Sequence, residues 1–279
     1  MNKKFGNIKK TALYIVLSFY AVCSIYPFIW LIFFSLKNNE EITVSNSFGV
    51  PEVFRFENYV NAWNSFNIAL YFKNSIIVSL ISVAVTIIIS LMFAYATARM
   101  IWRMSKVARI YITAGMFIPV QIILIPLVIL VKNLHMSNSF MSLIIPYIAF
   151  QMSFAAIVFH GFLTSLPFEI EEAAYIDGAS IFRTFMSIIV PMVIPAIASV
   201  LIFTFMNVWN EFTVALMLIN KEVLRTLPLG LVSFKGQFNT DWGGMGAAMV
   251  IAAIPTIVVY LMFSEKVEKA LTVGSAVKG

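Results

Sequence analysis

The chain of 279 residues is 61% hydrophobic and only 11% charged, with a formal charge of +6. Soluble domains carry about 25% charged residues, so this composition excludes a water-facing globule. It specifies an all-α integral membrane protein without a separate soluble domain, and the excess of Lys and Arg reads as membrane orientation rather than nucleic-acid binding.

Residues 1–11 form a basic tail with Lys3, Lys4, Lys9 and Lys10. The first apolar run, 12–35, holds the single cysteine. Cys23 has no partner for an internal disulfide and is expected to be a small buried hydrophobe. Tyr20-Ala21-Val22-Cys23 has a loose likeness to a lipoprotein cleavage site, yet the apolar run continues to Phe34. That is too long for a signal-peptide core, so the run is read as an uncleaved membrane helix. Further apolar runs follow at roughly 73–97, 110–131, 140–162, 190–219 and 243–264. A helix needs about 20 apolar residues to cross hydrocarbon, which gives six spans within a domain of 12–264 and a tail of 265–279. Pro27, Pro119, Pro126, Pro146, Pro195 and Pro255 lie in these runs and predict kinks, tolerated where neighbouring helices satisfy the freed carbonyls.

Twelve of the 19 Lys and Arg residues fall in the two termini, the loop of Arg99, Arg103, Lys106 and Arg109, and the loop of Arg183. The positive-inside rule then puts both termini and the 163–189 loop in the cytoplasm. Two outer segments remain. Residues 37–72 are polar with interspersed aromatics, as in a folded cap or a helix lying on the membrane surface. Residues 220–242 form a second long loop, running out through KGQFNTDW.

The 163–189 loop is a polar insert between two apolar runs. Ser165-Leu166-Pro167 opens it, and Pro suits the first helical turn. Glu169, Glu171 and Glu172 favour the positive end of a helix. Ala173 and Ala174 leave a low surface for close packing, and Gly178 suits a left-handed break between two short helices. Such an element reads as a docking site. Glu172 is the expected partner of a basic group, and Ala174, Ile176, Ile181 and Phe182 are expected apolar contacts. An exposed ion pair contributes under about 1 kcal/mol, so shape and apolar contact must carry most of the docking.

In the fifth run, FTFMNVWNEFTVAL, Thr204, Asn207 and Glu211 fall at i, i+3 and i+7 with Asn210 beside them. Polar groups inside a span face a cavity or a partner. They either line a translocation path, where carboxamides suit sugar hydroxyls, or hold helices together. In the 225–242 loop, Phe234, Lys235, Gln237, Phe238 and Asn239 combine aromatic faces with hydrogen-bonding groups, in a segment large enough to touch an extracytoplasmic partner. The run WGGMGAA at 242–248 permits close helix packing, within the chain or against another. His135 and His160 are lone histidines, and no Cys/His cluster has metal-ligand spacing. No nucleotide-binding G-x-x-x-x-G-K-[ST] run occurs, so ATP would have to bind another chain.

Glu172, Ala173, Ala174, Gly178, Ile188 and Pro191 fall on the EAA motif, Glu-Ala-Ala, three residues, Gly, nine residues, Ile-x-Leu-Pro, with Val190 in place of Leu. In this the chain resembles the permeases of ABC importers. Tyr26-Pro27, Ser35-Leu36-Lys37, Asn58-Tyr59, Asn74-Ser75, Ala94-Tyr95-Ala96, Ile125-Pro126-Leu127, Trp209-Asn210-Glu211-Phe212, Leu227-Pro228-Leu229-Gly230-Leu231 and Val277-Lys278-Gly279 extend the likeness, in order, to the maltose-type (MalG-like) permeases of carbohydrate importers. The resemblance implies a type I importer bundle, N-in and C-in, in a bacterial or archaeal cytoplasmic membrane. It implies a cytoplasmic coupling helix carrying Glu172, Ala173, Ala174, Asp177, Gly178 and Pro191, seated on an ATPase. It implies a second (MalF-like) permease, two ATP-binding subunits and an extracytoplasmic sugar-binding protein as partners, and no cofactor or covalent chemistry in this chain. It also gives the C-terminal tail a role at the ATPase interface, while in the best-known member the other permease holds most of the sugar contacts. Alternative readings are a permease for a polyol or glycerol phosphate ester, a proton-coupled secondary transporter with Glu211 as the coupling acid, and a structural membrane scaffold.

Overall fold

The computed structural model describes residues 2–236 and 240–276, with side chains over 10–64, 66–236 and 240–265. The secondary structure of the described residues is helical apart from turns and one isolated antiparallel bridge, Lys235 to Thr240. The chain divides into two units, Met1–Ala69 with Gly230–Ala253, and Leu70–Leu229 with Ile254–Gly279.

In the first unit, helix α1 (Asn2–Ser35) is continuous through Pro27. Its span Lys10–Ser35 buries none of its most apolar window against the rest of the chain. Cys23 is accordingly exposed, not buried as the sequence predicts. An apolar helix in a membrane can turn its side chains to lipid or to another chain, so hydrophobicity there does not specify an internal core. Of residues 37–72, the part before Ile68 folds as short helical turns and the rest opens a long helix. A π-helical turn at Glu41–Ser45 is followed by α2 (Glu57–Ser65). The Asn58 amide donates 2.9 Å bonds to the carbonyls of Ser35 and Lys37, satisfying groups left free at the end of α1. Tyr59 shares a 2.6 Å hydrogen bond with Ser35. The Glu41 carboxylate accepts from the Glu52 amide at 2.8 Å and from Asn46 at 3.2 Å. The small residues that open α13 (Trp242–Ala276) pack within the chain. Ala247 and Ala248 are fully buried, and a Cβ on Gly246 would press on Phe34.

In the second unit, α3 (Ile68–Arg99) has 32 residues. At 1.5 Å per residue it is about 48 Å long, more than the roughly 30 Å of hydrocarbon. One buried face carries Ser79, Ser82, Thr86 and Ser90 at spacings of three and four, small side chains that let a neighbouring helix approach. Then come α4 (Ser105–Ala114), a 3-10 turn, α5 (Val120–Asn133) and α6 (Met141–Ser165). The docking insert folds as α7 (Glu169–Ile176) and α8 (Ile181–Thr184), and a π-helical turn at Phe185–Ile189 leads to α9 (Val190–Met192). After α10 (Ile194–Trp209) and α11 (Thr213–Leu218), α12 (Leu227–Gly230) closes the unit. One core joins Val78, Leu143, Tyr147, Val214 and Leu218, and a second joins Leu91, Phe159, Ile189, Val193 and Val200. Helices α3 and α6 contribute to both.

Among the described residues four helices are long and apolar enough to cross a membrane, and two bent pairs make up to six. The bends of these pairs fall within two of the expected spans, at prolines that predict kinks. The run 110–131 is broken between Phe117 and Val120, with its arms at 105°. Ile118 is extended (ψ 111) ahead of Pro119, as the clash of a proline ring with the preceding residue demands. The run 190–219 is bent by 72° at Val193 ahead of Pro195, and its helix stops at Trp209. Pro27, Pro126, Pro146 and Pro255 sit inside unbroken helices.

The packing of α13 yields a test. A Cβ on Gly243 would run into the Lys37 carbonyl and the Asn58 amide, whereas Gly161 has nothing within 4 Å. Gly243→Val is expected to lower the thermal unfolding midpoint in detergent. Gly161→Ala should hold or raise it, since Gly in a helix interior costs about 0.5–1 kcal/mol relative to Ala.

Candidate functional site

The docking insert is a helix–turn–helix with an inward and an outward face. Gly178 has φ +75. The Gly178 amide donates to Tyr175 at 3.0 Å and the Ala179 amide to Ala174 at 2.9 Å. This pair of bonds closes a helix with a left-handed residue just past its end, where glycine avoids the Cβ clash. The Ser180 hydroxyl then caps α8 by accepting from the Arg183 amide at 3.3 Å. Glu172, Ala173, Asp177, Gly178 and Pro191 are exposed. Ile176 is 84% exposed and Phe182 72%, with Tyr175 and Ile181 also outward. Phe182 and Ile181 also border an apolar hollow of about 660 Å³ against Ile88, Leu91 and Met92. Ala174 departs from expectation, being only 6% exposed. It lies three and four residues after Glu171 and Ile170, on the face turned to the bundle, so it supports α7 from inside.

No local spacing points to what holds that inner face. Arg99, expected in a solvated loop, is the last residue of α3 and its side chain is fully enclosed. Its Nε ion-pairs with Glu171. Nη1 donates to the carbonyls of Leu163 (3.3 Å) and Leu166 (2.9 Å), and Nη2 to Pro167 (3.0 Å). The guanidinium lies over the Phe168 ring at 3.7 Å. The Tyr95 hydroxyl donates to the other Glu171 oxygen at 2.8 Å. The partners lie 72 and 76 residues apart in sequence, beyond any local spacing rule.

The polar residues of the fifth run do not share one helical face. Thr204 is fully buried within α10, so it packs rather than lines a path. Asn207 is exposed and donates to Gln151 at 3.2 Å. Asn210 follows the last residue of α10, and its amide bonds the Met206 carbonyl at 2.9 Å. Glu211 lies outside the helix. Its carboxylate accepts from the Tyr147 hydroxyl at 2.6 Å and from the amides of Val214 (2.7 Å) and Ala215 (3.1 Å), the free N–H groups that open α11. The acid is therefore the anchor of a chain reversal. A cavity of about 210 Å³ beside it is lined by Gln121, Gln151, Asn207 and Tyr147 among others. The two glutamines were not singled out from sequence because each stands alone in its apolar run.

In the 225–242 loop, Phe234 is buried and stacks on Phe66 with ring centroids 4.1 Å apart. It anchors the loop and is not available to a partner. Lys235 is exposed and pairs in a bridge with Thr240. Asn39 holds Thr240 and Trp242, donating to the Thr240 carbonyl at 2.8 Å and accepting from the Trp242 amide at 2.9 Å. Gln237, Phe238 and Asn239 lie outside the described residues, as does the end of the tail, 277–279. Among the described residues no cluster of His, Cys, Asp or Glu could hold a metal.

A family model described as the binding-protein-dependent transport system inner membrane component matches residues 86–273. The chain is 34% identical over 272 residues to the probable ABC transporter permease protein YurM of Bacillus subtilis, covering 98% of this chain and 90% of that protein. It is 32% identical over 276 residues to the trehalose/maltose transport system permease protein MalG of Thermococcus litoralis, covering 98% of each. A chain of a bacterial ABC transporter involved in the import of the acidic polysaccharide alginate superposes with a TM-score of 0.82 at 21% identity, over 93% of this chain and 96% of that one. At that identity the likeness is one of fold.

The corner at Glu211 predicts a stability effect. Glu211→Ala strands the Tyr147 hydroxyl and two amides, and a buried donor left unpaired costs about 1–3 kcal/mol. The unfolding midpoint in detergent should fall by about 5 °C or more, at roughly 2–4 °C per kcal/mol. Tyr147→Phe should cost less. An unchanged midpoint for Glu211→Ala would show that the carboxylate anchors nothing.

Proposed function

We propose that this chain, which belongs to the family of binding-protein-dependent transport system inner membrane components, is one transmembrane subunit of an ATP-driven importer of a sugar or oligosaccharide. The observation that carries this reading is the docking insert. It is a rigid helix–turn–helix whose outer face combines acids with exposed Tyr175, Ile176, Ile181 and Phe182. Isolated exposed hydrophobes need no explanation, but a cluster rimmed by charge marks a protein contact. The carbohydrate cargo is supported by the trehalose/maltose permease, 32% identical over nearly the whole of both chains.

In this reading each bent pair counts as one span, giving six with both termini in the cytoplasm. The positive-inside distribution of Lys and Arg supports that orientation. Glu172, Ala173, Asp177, Gly178 and Pro191 belong to the element that meets one of two ATP-binding subunits. Ala174 packs behind them. A second permease completes the translocation path. From this chain the path takes Asn210 and, at the 210 Å³ cavity, Asn207 with Gln121 and Gln151. Neutral carboxamides offer a donor and an acceptor each, which matches sugar hydroxyls. Lys235 and the 225–242 loop meet the extracytoplasmic binding protein. ATP binding draws the ATPases together, the docking elements follow, and the bundles rock between inward- and outward-facing states. The chain itself makes and breaks no covalent bond.

The reading is tested at Gly178. A β-branched residue at φ +75 is strained by about 1–2 kcal/mol and would reshape the turn between α7 and α8. No atom lies within 4 Å of the added Cβ, so the effect is conformational rather than a clash. Gly178→Val is expected to insert into the membrane at normal yield yet fail to retain the ATPase on purification. Full recovery of the ATPase would remove the docking assignment.

A further inference from the structure

We propose that Arg99 is a positioning residue: through Glu171 it joins α3, the end of α6 and the docking helix α7 into one mechanical unit, so that displacement of α7 reaches both long helices undiminished. The inference rests on the coupling reading above and adds the device that transmits the motion.

Three residues, Leu166, Pro167 and Phe168, separate α6 from α7. Left alone, such a linker is a hinge, and a pull on α7 would be spent in bending it. Arg99 engages all three. It bonds the carbonyls of Leu166 and Pro167, and its guanidinium stacks on Phe168. A fourth contact reaches the Leu163 carbonyl, within the last turn of α6. The charges agree with the helix dipoles: a cation sits at the C-terminal end of α6 and Glu171 lies in the first turn of α7. The side chains are enclosed, with Arg99 at 0% and Glu171 at 18% exposure. Enclosing an ion pair is costly, and well-packed apolar residues would often serve stability equally well. What the planar fork adds is geometry, because several fixed N–H directions hold several acceptors at once. Tyr95, one turn earlier on α3, fixes the second oxygen of Glu171 and so sets the rotation of α7 about its axis.

The test uses the whole complex in vesicles, with ATPases, second permease and binding protein, and reads sugar uptake and ATP hydrolysis together. Glu171→Gln keeps the side-chain shape and removes the charge; Arg99→Lys keeps the charge and removes the fork. Both are expected to assemble and hydrolyse ATP while uptake per ATP falls about tenfold, within the usual range of coupling between sites. The double variant should fall no further than the worse single one. Amide hydrogen exchange over 166–176 should quicken in both singles. A purely structural role predicts loss of assembled complex with normal uptake per ATP in what remains, and that result would overturn the proposal. So would unchanged uptake per ATP with unchanged exchange. If Arg99→Lys does not fold, the near-isosteric Glu171→Gln decides alone. Failure of the docking reading is separately visible as normal ATPase recovery with Gly178→Val, since the exchange measurement needs no ATPase.

Discussion

A helix end leaves backbone N–H and C=O groups without intrahelical partners, and this chain breaks its helices repeatedly. The breaks are bearable because side chains from other elements supply the missing bonds. Asn58 serves the end of α1, Arg99 the end of α6, and Glu211 the start of α11. Asn74 of α3 donates to the carbonyls of Val223 and Arg225, and Ser75 accepts from the Leu227 amide at the start of α12. The polar residues of a mostly apolar chain are thus spent first on its own irregular backbone. Only those left over are free for a solute or a partner.

That ordering explains which parts of the site were legible in sequence. The docking insert was legible because its signals are local. Three acids in one turn and a glycine six residues past the last of them lie in one short stretch, and the turn forms as those residues require. The small residues opening α13 were equally readable as a packing surface, though not which surface they meet. Composition sufficed for the helical class and for the number of apolar runs, but a hydropathy window cannot see a corner. Pro119 and the turn after Trp209 divide runs that look continuous.

The misread residues share a cause. Phe234 and Ala174 each looked available when the chain was read along its length, and Glu211 stood between lining a path and holding helices together. Glu211 satisfies α11 and Tyr147, Phe234 stacks on Phe66, and Ala174 faces the bundle. Their partners are remote in sequence or set by helix rotation, so spacing alone could not find them. The same holds for Arg99, which charge counting placed in a loop and folding enclosed.

The division between spent and free polar groups also bears on how force passes through the bundle. The outer face of the docking element is exposed to solvent on this chain, where single ion pairs contribute under about 1 kcal/mol. Acids such as Glu172 and Asp177 therefore select and orient a partner more than they bind it. The strong polar contacts lie on the inner face, where Arg99 and Glu171 are shielded. A shape-based grip outside and a charge-based clamp inside suit the two tasks. The first must let the partner assemble and release; the second must not yield while the partner moves. Gly178 stands between them, because the left-handed turn it permits sets the angle at which the outer face is presented while its bonds to α7 keep that angle fixed.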